Sequence, residues 1–377
     1  MNVILNSAQI RGFFEGDGGF LIRIDPTKKG FSFRSQAKFG QTTKNDQILK
    51  WCRESLDPTI VITSYKETDS SSLVFPFNSI AGEKIVKMYL ENKPFNPGTL
   101  NDFLIAKKIH EYQTTKLISY SSVSDEVLQN QTEDKRYRLV ILSLLWLRFQ
   151  RAGTRLADNT YTIKYYQDMI NASSDEISEA ERLGNELLAP ISMEVEKLIS
   201  DLQNDKINIC EDYLAYYHVA DGSFSFEFGK RKRANGKLSL RIIPRWSIAD
   251  DLVAKPLLER IVRQYNFSNY QYLTGQNGGY ARANGWEKAE QVVIPFFSGR
   301  MLPDVIKNKV QTFINVCELH SNKNTYKNAR LFRSYVEQAY FLNPSPRRTK
   351  KKFEKDYKSL IDELILEYEM TDSSDEN

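Results

Sequence analysis

Two aspartates at equivalent places in the chain are the residues best suited to chemistry. Asp17 lies in the stretch IRGFFEGDGGFLIRID, and Asp221 lies in the stretch DYLAYYHVADGSFSFEFG. Each aspartate ends an apolar helical pattern and directly precedes a strand pattern of period two. A carboxylate at the C-terminal end of a helix is disfavoured by the helix dipole. A bound divalent cation would offset that cost, because hard cations such as Mg²⁺ prefer oxygen ligands.

The alternative interpretation of each stretch is an ordinary turn. Asp-Gly is a common turn pair, so either EGDGG or VADGS alone would be assigned to a turn. The repetition of the whole arrangement, with a helix before and a strand after, favours a functional role for both acids. An EF-hand is not supported, because the loops lack the spaced acids and the closing glutamate of that site.

Small residues in the first of these helices indicate a close helix pair. Gly12 and Gly16 have the G-x-x-x-G spacing that lets two helix backbones approach each other. If the two helices pack side by side, Asp17 and Asp221 come within reach of a shared metal. Tyr216 stands where the second stretch should match Gly12, so we expect the packing of the pair to be asymmetric.

The elements around the two aspartates are repeated as well. Each motif leads into a strand hairpin, an amphipathic helix, a second hairpin and a closing helical region. The second strand and second hairpin of each repeat are predicted at Phe31–Phe39 with Thr59–Tyr65 and Ser72–Phe77, and at Leu238–Ile248 with Tyr270–Thr274 and Gly279–Val293. This pattern predicts an α+β protein of two halves, residues 1–170 and 209–370, joined by a helical linker at 171–208 and followed by an acidic tail at 371–377.

Charge is unevenly distributed along the chain. The net charge is only +4, from 52 basic and 48 acidic residues among 377. The stretch from Lys230 to Arg245, KRKRANGKLSLRIIPR, nevertheless contains no acidic residue. The basic stretch from Arg23 to Lys44 contains only one acidic residue, Asp25. A solvated surface is the ordinary explanation of such runs. Because these runs alternate with apolar residues at strand spacing, they predict a basic sheet face that suits a phosphate backbone.

Several other classes of protein are not supported by the sequence. Cys52, Cys210 and Cys317 lie far apart, so neither a disulfide framework nor a zinc module is indicated. We interpret the C-x-x-H formed by Cys317 and His320 as part of a helix. No apolar run is long enough to cross a membrane, and the longest one, Leu139–Leu147, is predicted to be a buried helix. The N-terminus has no secretory signal pattern.

The paired stretches resemble the motifs of the LAGLIDADG homing endonucleases, in the single-chain form that carries two motifs. The nine motif positions fall on Ile10–Gly18 (IRGFFEGDG) and on Leu214–Gly222 (LAYYHVADG). The resemblance covers most of the chain. It implies two pseudo-symmetric α-β-β-α-β-β-α halves whose saddle-shaped antiparallel sheets bind DNA.

The resemblance also implies roles for individual residues. Asp17 and Asp221 are then catalytic, and together with Gly16 and Ala220 they form the metal site, occupied by Mg²⁺ with Ca²⁺ or Mn²⁺ as substitutes in binding. The strands that follow the motifs would contact bases or phosphates. The residues assigned to these contacts are Arg23, Arg34 and Lys38 in the first half, and Arg231, Arg233, Lys237, Arg241, Arg245, Tyr270, Tyr272, Gln276 and Arg282 in the second.

Some family features are not matched in an obvious way. Family members often place a glutamine after the second strand near the metal, and a gapless alignment puts Thr43 and Asp250 there. Gln41 is nearby, but we expect its side chain to point to the other face. Lys93 and Lys307 are the candidates for the lysine that orders water at the site.

The resemblance therefore implies a monomeric, Mg²⁺-dependent homing endonuclease of the intron-encoded type, which cleaves a long asymmetric double-stranded DNA target across the minor groove. One alternative is a splicing maturase that binds intron RNA on the same scaffold. Another is a regulator that binds DNA without cleaving it. If the gene is organellar, we expect the protein to act in the mitochondrion or chloroplast in which it is made.

Overall fold

The computed structural model describes residues 3–27, 30–114, 135–150, 172–234, 236–272, 278–343, 349–368 and 370. The chain forms two compact units, one of residues 1–220 with 251–260 and one of residues 221–250 with 261–377. Part of the predicted closing region of the first half, Gln276 and the acidic tail lie outside the described residues. The predicted half boundaries remain a prediction.

The first unit begins with a well capped helix that leads directly into a sheet. Helix α1 spans Ser7–Asp17, and Asn6 forms a capping box with Gln9 at its start. Strand β1 begins at the next residue. The other elements of this unit are β1 Gly18–Thr27, β2 Gly30–Thr42, α2 Gln47–Leu56, β3 Thr63–Tyr65, β4 Ser70–Pro76, α3 Ile80–Glu91, α4 Pro97–Thr114, α5 Lys135–Phe149, α6 Ser174–Gln203 and α7 Glu211–Asp221, whose last residue belongs to the second unit.

The sheet of the first unit is antiparallel, with the strand order β1-β2-β4-β3. Alternate residues of β2 are buried, from Phe33 through Ala37 to Phe39, and they face the helices. Phe14 of α1 packs against both Phe20 and Phe39, with ring centroids 4.8 and 4.9 Å away. This aromatic contact fixes α1 beneath the first hairpin.

The segment predicted as a helical linker is a single long helix. Helix α6 starts at a capping box between Ser173 and Glu176 and packs against α5 and α4. Arg138 of α5 donates hydrogen bonds to the same glutamate. The helix is therefore part of the packing of the first unit.

The second unit repeats the sheet with the order β5-β6-β8-β7. Its aromatic core places Phe226 on Phe313 and Trp246 on Phe297, at centroid distances of 5.1 and 4.9 Å. Its strands are β5 Gly222–Lys232, β6 Leu238–Asp251, β7 Asn269–Tyr272 and β8 Gly278–Asn284. Its helices are α8 Lys255–Gln264, α9 Trp286–Lys288, α10 Ile294–Phe297, α11 Asp304–Ser321, α12 Ala329–Phe341, α13 Lys350–Phe353 and α14 Ser359–Glu367, although β6 ends and α8 begins in the first unit. The first unit also contains 3-10 turns at Thr43–Asn45 and Leu252–Ala254, and the second unit contains a 3-10 turn at Lys323–Tyr326 and π-helical turns at Ala289–Val293 and Glu354–Lys358.

The prediction of a strand from Gly279 to Val293 was too long. Strand β8 ends at Asn284, and Gly285 then adopts a positive φ of 94°. A residue at that φ turns the chain out of the extended conformation, and glycine does so without steric cost. The apolar residues that follow are helical, so their burial comes from packing against the sheet.

The α+β architecture with two four-stranded antiparallel sheets is as predicted. Among the described residues, no helix has the length and apolar character needed to cross a lipid bilayer.

Candidate active site and nucleic-acid interface

The two motif helices pack directly against each other inside the first unit. A Cβ atom added to Gly12 would lie 2.1 Å from the carbonyl oxygen of Tyr213 and 3.0 Å from the backbone nitrogen of Tyr217. Asn6, at the start of α1, donates a 2.7 Å hydrogen bond to Asp212 in the first turn of α7. The helices therefore run in the same direction, and their C-terminal turns lie toward the same end of the pair.

A buried glutamate holds the pair together. Glu15 Oε2 accepts hydrogen bonds from the Tyr213 hydroxyl at 2.9 Å and from the backbone nitrogens of Phe95 and Asn96, both at 2.8 Å. Arg11 lies 3.8 Å from the other carboxylate oxygen. Burial raises the pKa of Glu15, against the lowering effects of Arg11 and the three hydrogen bonds. This residue occupies the sixth motif position, so that position is structural here.

Asp17 ends the first helix and is joined to the hairpin by one hydrogen bond. Its Oδ2 accepts a 2.6 Å hydrogen bond from Nε2 of Gln41. Burial raises the pKa of Asp17 from 3.8 to about 7, although the hydrogen bond from Gln41 lowers it. Among the described residues Asp17 has no ion-pair partner. A half-buried carboxylate that lacks a cation at a helix C-terminus has the chemistry of a divalent-metal ligand.

The expected orientation of Gln41 was wrong. Gln41 lies two residues after Phe39 in strand β2, and Phe39 is fully buried on the helix side of the sheet. Residues two apart in a strand share a face, so the Gln41 side chain lies on the side of α1. Thr43, the position predicted by gapless alignment, lies beyond the strand and its hydroxyl donates to Asp69 at 2.5 Å.

Strand register shows which residue of the second unit corresponds to Gln41. Gly18 pairs with Phe39 in the first hairpin, and Gly222 pairs with Ile248 in the second. Counting two residues onward from each partner gives Gln41 and Asp250. The second unit therefore carries a carboxylate where the first carries an amide.

The available oxygen donors fit a magnesium ion that is completed by substrate. Asp221 ends α7 and is half-buried, like Asp17. No cluster of three or more His, Cys, Asp or Glu residues that could bind a metal occurs in the described part of the chain. Mg²⁺ is commonly bound by one or two carboxylates, with waters and substrate phosphates in the other positions. The aspartate that ends each motif helix has the chemistry of such a ligand.

The two lysines proposed to order water receive no support from the structure. The Lys93 ammonium forms an ion pair with Glu194 of α6 at 2.7 Å. The backbone carbonyl oxygen of Lys93 accepts a hydrogen bond from Arg11. Lys307 is exposed on α11.

The first hairpin presents a basic face opposite the core. Arg23 lies directly across from Arg34 in the β1–β2 pair, and Lys38 lies across from Gly19. All three alternate with buried residues, and both arginines are exposed. Like charges directly opposite each other destabilise a sheet, so this arrangement favours an anionic ligand on the face.

The corresponding face of the second unit contains basic residues that already have acidic partners. Arg245 forms an ion pair with Glu227, its neighbour on β5, while Arg233 and Lys237 both contact Glu367 at 2.9 and 3.5 Å. Desolvation lowers the pKa of Arg245, and Arg282 adds to that effect. The predicted residues of this hairpin that lie on the face away from the core are Arg231, Arg241 and Arg245.

The second hairpin of this unit requires a correction. Tyr270 lies opposite Ala281 and Tyr272 lies opposite Gly279, and Ala281 is fully buried. Directly opposed residues share a face, so both tyrosines lie on the helix side of the sheet rather than on the basic face. Arg282 is on the basic face, where it donates to Gln271 at 2.6 Å. Gln271 was missed, although its place between the two tyrosines in an alternating strand could have indicated that it lies on the opposite face.

Comparisons with known proteins agree with this geometry. Residues 10–110 match the family model described as LAGLIDADG endonuclease. The match includes the first motif and the first sheet. No curated protein sequence matches the chain.

Solved structures share the fold over nearly the whole chain. I-SmaMI bound to cleaved DNA is 16% identical, with a TM-score of 0.62 over 93% of this chain and 99% of that one. I-LtrWI bound to target DNA is 13% identical, with a TM-score of 0.63 over 91% and 98%. I-GzeII in complex with its DNA target is 13% identical, with a TM-score of 0.62 over 92% and 100%. The LAGLIDADG resemblance and the predicted fold class are thereby confirmed.

Proposed function

We propose that this protein is a site-specific, Mg²⁺-dependent endonuclease that cuts both strands of a DNA duplex. The observation that carries the proposal is the close pairing of the two motif helices, each of which ends in an aspartate. Gly12 brings the helix backbones together, and the Glu15–Tyr213 hydrogen bond fixes their alignment. One chain supplies both motifs, so we infer that it acts as a monomer.

In this proposal Asp17 and Asp221 hold the metal together with the backbone at Gly16 and Ala220. Bound Mg²⁺ would activate water and stabilise charge on the phosphate under attack. Gln41 fixes the rotamer of Asp17 through its amide hydrogen bond, which leaves the second oxygen of that carboxylate available as a ligand. I-SmaMI has been solved with uncleaved DNA in the presence of calcium ions, which supports a divalent cation at such a site.

The basic sheet faces are the proposed DNA-binding surface. Basic side chains position the phosphate backbone, whereas polar side chains on the same face read base edges in the major groove. The two faces carry different side chains, with Arg23, Arg34 and Lys38 in one unit and Arg241, Arg245 and Arg282 in the other. We therefore propose a long target whose two halves differ in sequence.

The test uses the purified protein and a supercoiled plasmid that carries the uninterrupted form of the locus containing its gene. With Mg²⁺ we expect linear product, and with EDTA none. Asp17→Asn and Asp221→Asn should each bind the plasmid insert but fail to linearise it. Binding by the native protein with neither nicked nor linear product in Mg²⁺ or Mn²⁺ would reject the nuclease in favour of a DNA-binding regulator.

The regulator is the second candidate because Asp250 stands at the register position of Gln41. A carboxylate there cannot donate a hydrogen bond to Asp221 when both are ionised, and so it would not support the catalytic acid in the same way. The maturase alternative has a separate readout. Tighter binding of the protein to intron RNA than to the target duplex, with splicing stimulated in vitro, would favour it.

A further inference from the structure

The second unit contains a cavity whose aromatic wall has no role in the proposed nuclease. It has a volume of about 520 Å³ and lies beside strand β6 at Leu240 and Ile242. This volume falls within the range of roughly 300–1,000 Å³ that is usual for small-ligand sites. Its far wall is formed by α9, α11, the 3-10 turn at Lys323–Tyr326 and α12.

The far wall of the cavity is aromatic. The ring of His320 stacks on Trp286 with centroids 3.5 Å apart and planes 12° from parallel. The Tyr326 hydroxyl lies 2.6 Å from Nδ1 of His320, and the Tyr335 hydroxyl lies 3.3 Å from the same nitrogen. Desolvation lowers the pKa of His320, against the raising effect of Glu290, so the neutral ring is favoured. A neutral stack of this kind suits a flat aromatic ligand.

The strand side of the cavity is positively charged. Arg231 and Arg241 line it from diagonal positions of the β5–β6 pair, on the same face of the sheet. Both are exposed, and neither side chain has a hydrogen-bond or ion-pair partner within the described residues. A third arginine, Arg233, is held back from the ligand by Glu367 and by the ring of Tyr368. Two unpaired guanidinium groups close together suit one phosphate.

We propose that this cavity binds an unpaired nucleotide of DNA or RNA, with the base against the Trp286, His320 and Tyr326 rings and the phosphate at Arg231 and Arg241. Base–aromatic stacking and arginine–phosphate contacts are the general means by which proteins hold unpaired bases. A duplex cannot enter, because its bases are stacked on their neighbours. The aromatic wall is therefore separate from the duplex-binding face, with which the site shares only Arg231 and Arg241.

The experiment measures binding of fluorescein-labelled tetranucleotides, dA₄ and rA₄, to the full-length protein in EDTA. The matched control probe is an abasic tetramer with the same sugar–phosphate backbone. We expect dA₄ or rA₄ to bind about ten-fold more tightly than the abasic tetramer. The ratio between the DNA and RNA probes identifies the natural source of the nucleotide. Equal affinity for the abasic and base-containing probes would overturn the proposal, because the aromatic wall would then contribute nothing.

Paired variants test each part of the site. Tyr326 is 38% exposed, so replacing it should leave the fold intact. Tyr326→Leu should weaken tetranucleotide binding about ten-fold, whereas Tyr326→Phe, which keeps the ring, should stay within two-fold of the native protein. Arg231→Gln should weaken binding of all probes. Arg330→Gln should not, because Arg330 precedes Phe332 by two residues on α12 and so points away from the cavity.

The tryptophan fluorescence of the native protein gives a second measure of nucleotide binding, and this measure does not depend on a variant folding correctly. Trp286 lines the cavity, whereas Trp51 and Trp246 are 8% and 0% exposed. Unlabelled dA₄ or rA₄ should quench the native protein, and Trp286→Phe should remove the quenching while its thermal melting curve stays cooperative. Quenching that persists in Trp286→Phe would place the nucleotide elsewhere. A protein that cleaves DNA but shows no quenching would lose only this inference.

Discussion

The two halves place an aspartate at the same point of the same helix-to-hairpin unit, yet the residues around the two aspartates differ. In the first half Gln41 donates a hydrogen bond to Asp17. In the second half the register position of that glutamine holds Asp250. An amide stabilises a carboxylate, whereas a second carboxylate repels it and makes a cation more necessary. The halves have therefore kept the same backbone while diverging in chemistry.

A second difference lies two residues before the aspartates, at the sixth position of the motif helices. The sixth motif position is Glu15 in the first helix, where it accepts three hydrogen bonds while fully buried. The same position in the second helix is Val219, which is 4% exposed and apolar. One helix is thus fixed by directional polar contacts and the other by packing. Buried hydrogen bonds specify alignment more strictly than apolar contacts do.

The largest effect is expected from removing one proposed catalytic aspartate at a time. Asp17→Asn should lower double-strand cleavage by roughly 10³-fold, since a loss of several kcal/mol of transition-state stabilisation is expected without the ligand. Asp221→Asn should do the same while changing which strand is nicked. Strand-specific end labelling of the products measures both rates. If both variants still cut both strands at the native rate, the site assignment is wrong.

The sixth motif position should show the next largest difference. Glu15→Ala removes the acceptor of the Tyr213 hydroxyl and of two backbone N–H groups, together with the carboxylate that faces Arg11, so the free energy of unfolding should fall by about 3 kcal/mol or more. Val219→Ala removes only apolar contact and should cost about 1.5 kcal/mol. Urea denaturation followed by circular dichroism gives both values. Equal losses of unfolding free energy in the two variants would show that the hydrogen bonds of Glu15 stabilise the fold no more than the apolar contacts of Val219 do.

The glutamine position tests whether the two sites can be interchanged. Gln41→Asp should slow cleavage by Asp17 roughly ten-fold, because a hydrogen-bond donor becomes a like charge beside the metal ligand. Asp250→Gln is the reciprocal change and should bring the two strand rates closer together. Single-turnover nicking assays on each labelled strand measure the rates. If neither change moves the ratio of the two rates, the register correspondence has no catalytic meaning.

The basic faces should differ in how much each charge contributes to DNA affinity. Lys38→Gln should weaken duplex binding several-fold and reduce the slope of log affinity against log salt by about one. Arg245→Gln should have a smaller effect, because DNA must first separate Arg245 from Glu227. Fluorescence anisotropy at several salt concentrations compares the two. A larger loss of duplex affinity in Arg245→Gln than in Lys38→Gln would mean that DNA binds more strongly to the basic face of the second unit than to that of the first.

The last prediction concerns the pH dependence of stability that Asp17 contributes in the absence of metal. The pKa of Asp17 is about 7 in the folded protein and 3.8 in an unfolded chain. Between these two values the unfolded state loses the proton first, so stability should fall as the pH rises from about 4 to about 7. Mg²⁺ should reverse the fall, since it favours the ionised carboxylate. Denaturation of the native protein and Asp17→Asn in EDTA would isolate the contribution, and identical pH profiles would contradict it.

Much of the fold could be predicted because it depends on local patterns. The period-two alternation from Phe33 to Phe39 and from Phe224 to Phe228 follows directly from which residues must be buried. The failures have local causes as well. Gly285 ends β8 through its backbone conformation, which hydrophobic periodicity does not report. Tyr270 and Tyr272 were assigned to DNA contacts, yet they lie on the helix side of the sheet. The face on which a strand residue lies depends on the register of that strand with its neighbour, which the sequence pattern does not show.

The sequence by itself determined the two repeated motifs, the position of Asp17 and Asp221 at the ends of two helices, and the alternating strands that follow. These properties depend on residues close together in the chain. Only the tertiary structure decided that Gln41 reaches Asp17, that Asp250 is its counterpart, and that Glu15 joins both motif helices. Those relations depend on strand register and helix packing between distant segments, since one residue of register reverses the face on which every side chain lies.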